Sequence, residues 1–189
     1  MKHDLIIMLG GPGAGKGTIA KMLRERHAYN YIETGAMFRN IDKTTPLGAR
    51  VAAIMDAGDL VTDELTEQLV AEKINNDADI LMDGFPRTIP QAEWLLAHVA
   101  DNFNVRVVYL NCPPETLVAR IHKRVGEGGG RADDSDIAVV QKRIQQYFEK
   151  TAPLIDFFKA DKHAEFLDID NNPPQDVVFA DVVSQLNLK

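Results

Sequence analysis

Gly10-Gly11-Pro12-Gly13-Ala14-Gly15-Lys16-Gly17-Thr18 packs five of the chain's thirteen glycines into nine residues. It follows the aliphatic run Leu5 to Leu9. It opens Lys16 to Ala28, where Ile19, Ala20, Met22 and Leu23 share one side of a helix and Lys21, Arg24 and Glu25 the other. Strand, glycine-rich turn and helix in that order make a phosphate cradle. Small residues let backbone N–H groups approach polyphosphate oxygens, the helix start adds partial positive charge, and Lys16 reaches the outer phosphates. Gly17, not Ser or Thr, follows Lys16, which displaces the hydroxyl usually offered to Mg²⁺ to Thr18.

Working outward, short aliphatic runs recur at Tyr31 to Glu33, Asp79 to Met82, Val105 to Asn111 and Glu165 to Ile169, with helical patterns between them. Strands alternating with helices predict an α/β fold, a parallel five-stranded sheet flanked by helices in three layers. Helices fit Leu47 to Ala57, Asp63 to Asn76, Gln91 to Asp101, Glu115 to Val125, Asp136 to Thr151 and Gln175 to Leu186. Ala36 to Asn76 places three helical segments where a simple crossover needs one, which predicts an inserted substrate lobe. No Ser/Gly linker or internal repeat divides the 189 residues, so the chain reads as one domain with insertions.

Composition narrows the function. The 28 acidic against 21 basic side chains give a net charge of -7, the wrong sign for a general nucleic-acid surface, so phosphate binding has to be local. One cysteine, Cys112, excludes an internal disulfide, and five scattered histidines lack metal-ligand spacing, which argues against structural zinc. The longest aliphatic run is far too short to span a membrane and lacks a signal peptide's cleavage region, so the expected address is the cytoplasm.

A second motif, Asp83-Gly84-Phe85-Pro86-Arg87-Thr88, starts at the C-terminal end of a predicted strand, the edge where open α/β sheets bind ligands. Asp83 can hold Mg²⁺ through water. Arg87 offers a planar fork matched to phosphate oxygens. Arg120 and Arg124 stand at i and i+4 on one helix face, and Arg143 lies on the next helix. An acidic chain has little reason to turn such cations inward without an anion between them. Between these helices Val125 to Ser135 holds four glycines in one run, a loop cheap to move and costly to order, as a gate over a nucleotide requires.

Gly10 to Thr18, Thr34-Gly35 with Arg39, Gly58-Asp59-Leu60-Val61, Asp83 to Thr88 with Gln91, and Arg131-Ala132-Asp133-Asp134 stand in the order and spacing of the adenylate kinases, and the chain resembles that family over nearly its whole length. The resemblance implies reversible Mg-dependent phosphoryl transfer between ATP and AMP on a P-loop core of residues 1–189, with an inserted NMP-binding lobe at 33–62 and a short lid at 125–135. It places Gly13, Ala14, Gly15, Lys16, Gly17 and Thr18 on the ATP phosphates, with Arg120, Arg124 and main-chain groups of Asn172 also on ATP. It places Thr34, Arg39, Asp59, Leu60, Val61, Gly84, Phe85, Pro86, Arg87 and Gln91 around AMP, Gln91 reading the adenine edge. Lys16, Asp83, Arg87, Arg124, Arg131 and Arg143 become the catalytic set, with Arg131 and Arg143 also touching AMP. The implied partners are small nucleotides, not nucleic acid or membrane, and the expected state is a monomer.

Two residues depart from the family pattern. Glu33 stands where Ser is more frequent, and Ala36 where an Asp is usual. They keep UMP and CMP kinases of the same family as the runner-up, while Thr88, Gln91 and Leu60-Val61 favour AMP. A GTPase-like switch would need an Asn-Lys-x-Asp string, which is absent. A silent relative kept for assembly is disfavoured by the presence of Lys16, Asp83, Arg87 and the arginines around the lid.

Overall fold

A computed structural model describes residues 2–126 and 136–188. The described residues form a five-stranded sheet in the order β2-β3-β1-β4-β5, every neighbouring pair parallel. The strands are β1 (His3–Leu9), β2 (Asn30–Glu33), β3 (Ile80–Asp83), β4 (Phe103–Asn111) and β5 (Ala164–Asp170). Alternation along them splits the core in two. Leu5, Ile7, Ile80, Met82, Val105 and Val107 bury one face, and Ile6, Met8, Leu81, Val108, Leu110 and Ile169 the other. α5 (Ile89–Val99) and α8 (Pro153–Ala160) cover the first face; α1 (Lys16–Arg26) and α9 (Gln175–Gln185) cover the second. The α/β, three-layer expectation is met.

The chain runs from β1 to the edge strand β2, returns to β3 beside β1, and then crosses to β4 on β1's other flank. That reversal leaves a crevice beyond the carboxyl ends of β1, β2 and β3. Register brings its components nearly level: Met8 and Glu33 both pair with Asp83, so β2 and β3 end at one height and β1 runs one residue further, to Leu9, before its glycine turn.

Between β2 and β3 the chain inserts α2 (Thr34–Arg39), α3 (Pro46–Asp56) and α4 (Asp63–Ala71). α3 starts where its geometry demands. The Thr45 hydroxyl accepts from the Gly48 N–H at 3.0 Å, Pro46 fills the first turn, and a Cβ on Gly48 would strike the Asp42 carbonyl oxygen. Phe38, Val51 and Val61 form a small core of their own, flanked by Ile41, Ile54, Met55, Leu65 and Leu69.

Several elements differ from the periodicity reading. α4 stops at Ala71 rather than Asn76, because Asn75 turns its side chain onto the Asp77 N–H at 3.0 Å and offers the backbone a turn instead of a helix. The helix expected over Asp136 to Thr151 is α7 (Ile137–Gln146) followed by a π turn, Tyr147–Thr151, where the Ala152 N–H reaches the Tyr147 carbonyl at 2.7 Å. α8 follows it at once, opened by Pro153 and unread in the sequence. α6 (Pro114–Gly126) extends the expected Glu115 to Val125 helix by one residue at each end.

Candidate active site

The crevice encloses about 320 Å³. The turn after β1 forms one wall, with Gly13, Gly15, Lys16, Gly17 and Thr18 lining it. Gly13 and Gly15 sit at φ +85° and +82°, and a Cβ on Gly13 would come within 2.7 Å of the Leu117 carbonyl, so this loop has to be glycine to lie against α6. Ala14 turns the other way into the core, 1% exposed. Lys16 Nζ donates to the carbonyls of Gly10 at 2.7 Å and Gly11 at 3.0 Å, which holds the ammonium over its own loop.

The opposite wall is built around one carbonyl. Gly84, at φ +85°, accepts from the Thr34 hydroxyl at 2.8 Å and from Arg87 Nε at 2.7 Å, joining the end of β2 to the loop after β3. A Cβ on Gly84 would sit 2.8 Å from the Thr34 hydroxyl oxygen and 2.9 Å from Arg87 Nη2, so only glycine lets the two side chains converge. The Thr151 hydroxyl, presented by the π turn, donates to the Arg87 carbonyl at 2.9 Å. Gln91 is 2% exposed, its Oε1 taking the Arg87 N–H at 2.8 Å and its Nε2 donating to Asp63 Oδ1 at 2.7 Å. An amide held at both ends keeps its remaining N–H and lone pair in fixed directions, as base recognition demands. Asp59, Leu60, Val61, Pro86, Arg39 and Arg143 also line the cleft, while Phe85 lies beneath it in the core at 1% exposed.

Known proteins resemble the chain in sequence over most of its length. A family model described as adenylate kinase matches residues 8–163. An adenylate kinase of a Cyanothece species is 41% identical over 184 residues, covering 94% of this chain and 92% of that protein. An adenylate kinase of Phocaeicola vulgatus is 37% identical over 185 residues, 95% of this chain and 96% of that protein, and one of Thermus thermophilus is 40% identical over 158, covering 82% and 83%. The chain belongs to the adenylate kinase family. It is a nucleoside monophosphate kinase, a phosphotransferase, and these relatives favour the adenylate over the pyrimidine reading.

Among adenylate kinase residues expected from the sequence, the cleft gathers most, but Arg120 and Asn172 lie off its lining. Arg120 Nη2 donates to the Asn171 carbonyl at 2.7 Å. Asn172 is exposed and turns back on Asp170 Oδ1, at 3.0 Å from its N–H and 2.7 Å from its side-chain amide. The neighbouring Asn171 is the buried one, 5% exposed, and donates 2.7 Å to the Ala14 carbonyl beneath the phosphate loop. Arg131, the Arg124 side chain and most of the expected lid lie outside the described residues.

Four contributors escaped the sequence reading. Asp63 holds both Gln91 and, at 3.1 Å, the Thr88 hydroxyl. Tyr31 places its hydroxyl 3.4 Å from Glu33 Oε2 and 3.5 Å from Asp83 Oδ2, and burial first, then the Asp83 and Glu33 charges, push its phenol well above the ordinary range. It therefore stays protonated, a donor shared between two carboxylates. Gln146 Oε1 is buried without a hydrogen-bond partner among the described residues, at the cleft lining, an acceptor for a donor that a ligand could bring. Lys142 Nζ meets Asp59 Oδ2 at 2.7 Å, linking the inserted helices to α7. Only a residue's neighbours in space reveal these contacts; no local pattern in the sequence carries them.

Proposed function

We propose that the chain moves the terminal phosphoryl group of Mg-ATP to AMP, reversibly, giving two ADP. The observation that carries this reading is that the phosphate loop and the Gly84–Gln91 wall face each other across one cleft, each with its own cation, Lys16 and Arg87. Phosphoryl transfer asks little covalent work of a protein; it asks for two nucleotides in line, charge neutralisation and exclusion of water. Backbone N–H groups of the turn and Lys16 would take the donor phosphates. Arg87 and Arg39 would grip the acceptor phosphate, Gln91 and Thr34 its base side, and Arg143, with Arg124 and Arg131, the charge that develops between them.

Asp83 fits a divalent cation held through water. It is 7% exposed at the cleft lining, and no group of three His, Cys, Asp or Glu suited to a metal occurs among the described residues, so the chain offers single carboxylates that need phosphate oxygens to complete the coordination. Mg²⁺ bound there would neutralise phosphate charge. Residues 33–62 act as the acceptor lobe and 125–135 as the lid. A monomer is part of the same proposal, and no described helix is long and apolar enough to cross a membrane. Nucleotide biosynthesis in the cytoplasm is the setting that fits.

The test is a phosphoryl-transfer assay with Mg-ATP against AMP, UMP, CMP, GMP and dTMP. AMP is expected to lead by a large kcat/KM ratio, because a polar base site rejects a base that leaves it unpaired. Gln91→Leu should reduce kcat/KM for AMP more than about tenfold, which is about 1.4 kcal/mol. UMP or CMP used at least as well as AMP would pass the enzyme to the pyrimidine kinases.

A further inference from the structure

Glu33 sits where its family more often has Ser, and the structure gives that carboxylate a partner. Its Oε1 lies 2.8 Å from Arg39 Nη2, the side chains 26% and 41% exposed. Arg39 folds back over its own helix to make this contact: a Cβ on Gly35 would lie 3.0 Å from Arg39 Nη1. Both residues line the cleft, and Glu33 is level in register with the buried Asp83 on the adjacent strand. The phenol between Glu33 and Asp83 is a neutral donor at 3.4 and 3.5 Å. It adds no positive charge there. Among the described residues, Glu33 is thus ion-paired with a cation on the acceptor side of the cleft.

From this we infer that Glu33 is a specificity-determining residue that stands in for the acceptor's phosphate: it occupies Arg39 while the acceptor is away and competes with the acceptor phosphate for it. The inference rests on the acceptor assignment above. A half-exposed ion pair is screened and weak, so Arg39 exchanges partners cheaply. The carboxylate nevertheless stays in the cleft and repels the incoming phosphate. Both effects weaken ligands that carry a phosphate and leave the bare nucleoside untouched. The expected result is an acceptor site that discriminates against occupancy at low monophosphate and releases its product readily.

The experiment compares AMP with adenosine by calorimetric titration of the whole chain, unmutated and as Glu33→Gln, which keeps the shape and an acceptor oxygen but removes the charge. AMP should bind roughly three- to tenfold more tightly to Glu33→Gln while adenosine stays within error, and the KM for AMP should fall alongside. Glu33→Ser, which removes the side chain's reach to Arg39, should move AMP in the same direction. If AMP is unmoved or weakened in both variants, or adenosine shifts as much as AMP, Glu33 orients Arg39 or supports the fold and the competition is overturned. An unmutated chain that transfers nothing to AMP would sink the reaction assignment instead, a result separable from the titrations.

Discussion

The two walls of the cleft rest on unequal foundations. The phosphate loop stands between sheet and helix on a core of fully buried strand residues, Leu5, Ile6, Ile7 and Leu9 among them, continued by Ile19, Ala20 and Leu23 of α1. α2, α3 and the segment Asp59 to Val61 stand on Phe38, Val51 and Val61 with partly buried neighbours, while α4 sends the fully buried Val70 into the main core. Buried apolar area sets how much free energy opposes local opening, so the phosphate loop should open only with global unfolding and the α2–α3 part of the acceptor wall well below it. A kinase that must admit and release two nucleotides each turnover gains from that asymmetry. On the proposed reading, a pre-formed cradle would take the polyphosphate while α2 and α3 would be free to adjust to the acceptor.

The largest effect should come from breaking the stronger foundation. Leu23, fully buried on α1, packs in the core beneath the phosphate loop, and Leu23→Ala should cost roughly 2–5 kcal/mol of global stability. Val51→Ala removes two carbons from the small cluster, about 1–2 kcal/mol at ~0.8 per buried CH₂. Its loss should appear as faster amide exchange across α2 and α3 while the strands keep their protection. If Val51→Ala instead lowers protection of β1 and β3 by the same amount, the two foundations are one cooperative unit and the contrast fails.

Chemistry should follow the donor wall next. Lys16→Met should lower kcat by roughly 10² to 10³, the loss expected when one preorganised electrostatic donor goes, with the thermal midpoint near the unmutated value because Lys16 Nζ lies at the cleft over its own loop. Turnover at the unmutated level in a folded variant would take Lys16 out of the mechanism.

The unequal walls also explain what could be read from the sequence. β1 with its glycine turn, and β3 with Asp83 to Thr88, are continuous segments whose strand, turn and site residues are consecutive, so periodicity and spacing placed them within a residue or two. The acceptor wall is assembled from pieces far apart in the chain: Thr34 on Gly84, Asp63 on Thr88 and Gln91, Thr151 on Arg87. Glu33 was visible as an unusual residue and Arg39 as an expected one, yet their pairing required the backbone of α2. The π turn was hidden for another reason. Its mark is a backbone bond from the Ala152 N–H to the Tyr147 carbonyl, five residues back instead of four, and a pattern of apolar side chains does not record which carbonyl an N–H takes.

The smallest effect tests how the weaker wall is held against the rest. Asp59 and Lys142 form a 2.7 Å ion pair with each side chain 40% exposed, and Gly58 approaches α7 so closely that a Cβ would lie 3.3 Å from Val139. An exposed pair of this kind is worth roughly 0.2–1 kcal/mol. Lys142→Ala should therefore raise the KM for AMP by only about 1.4- to 5-fold, since it removes part of what docks the inserted helices but no group that the bound acceptor itself needs. The difference should shrink in high salt, where the unmutated pair is already screened. Charge reversal separates docking from incidental contact: Asp59→Lys and Lys142→Asp alone place like charges together, and the double exchange restores attraction with the backbone of Asp59 unchanged. Recovery of the KM in the double variant, beyond the sum of the single effects, would make this pair a working link between the acceptor wall and α7. Additive losses would leave the docking to the Gly58 contact alone.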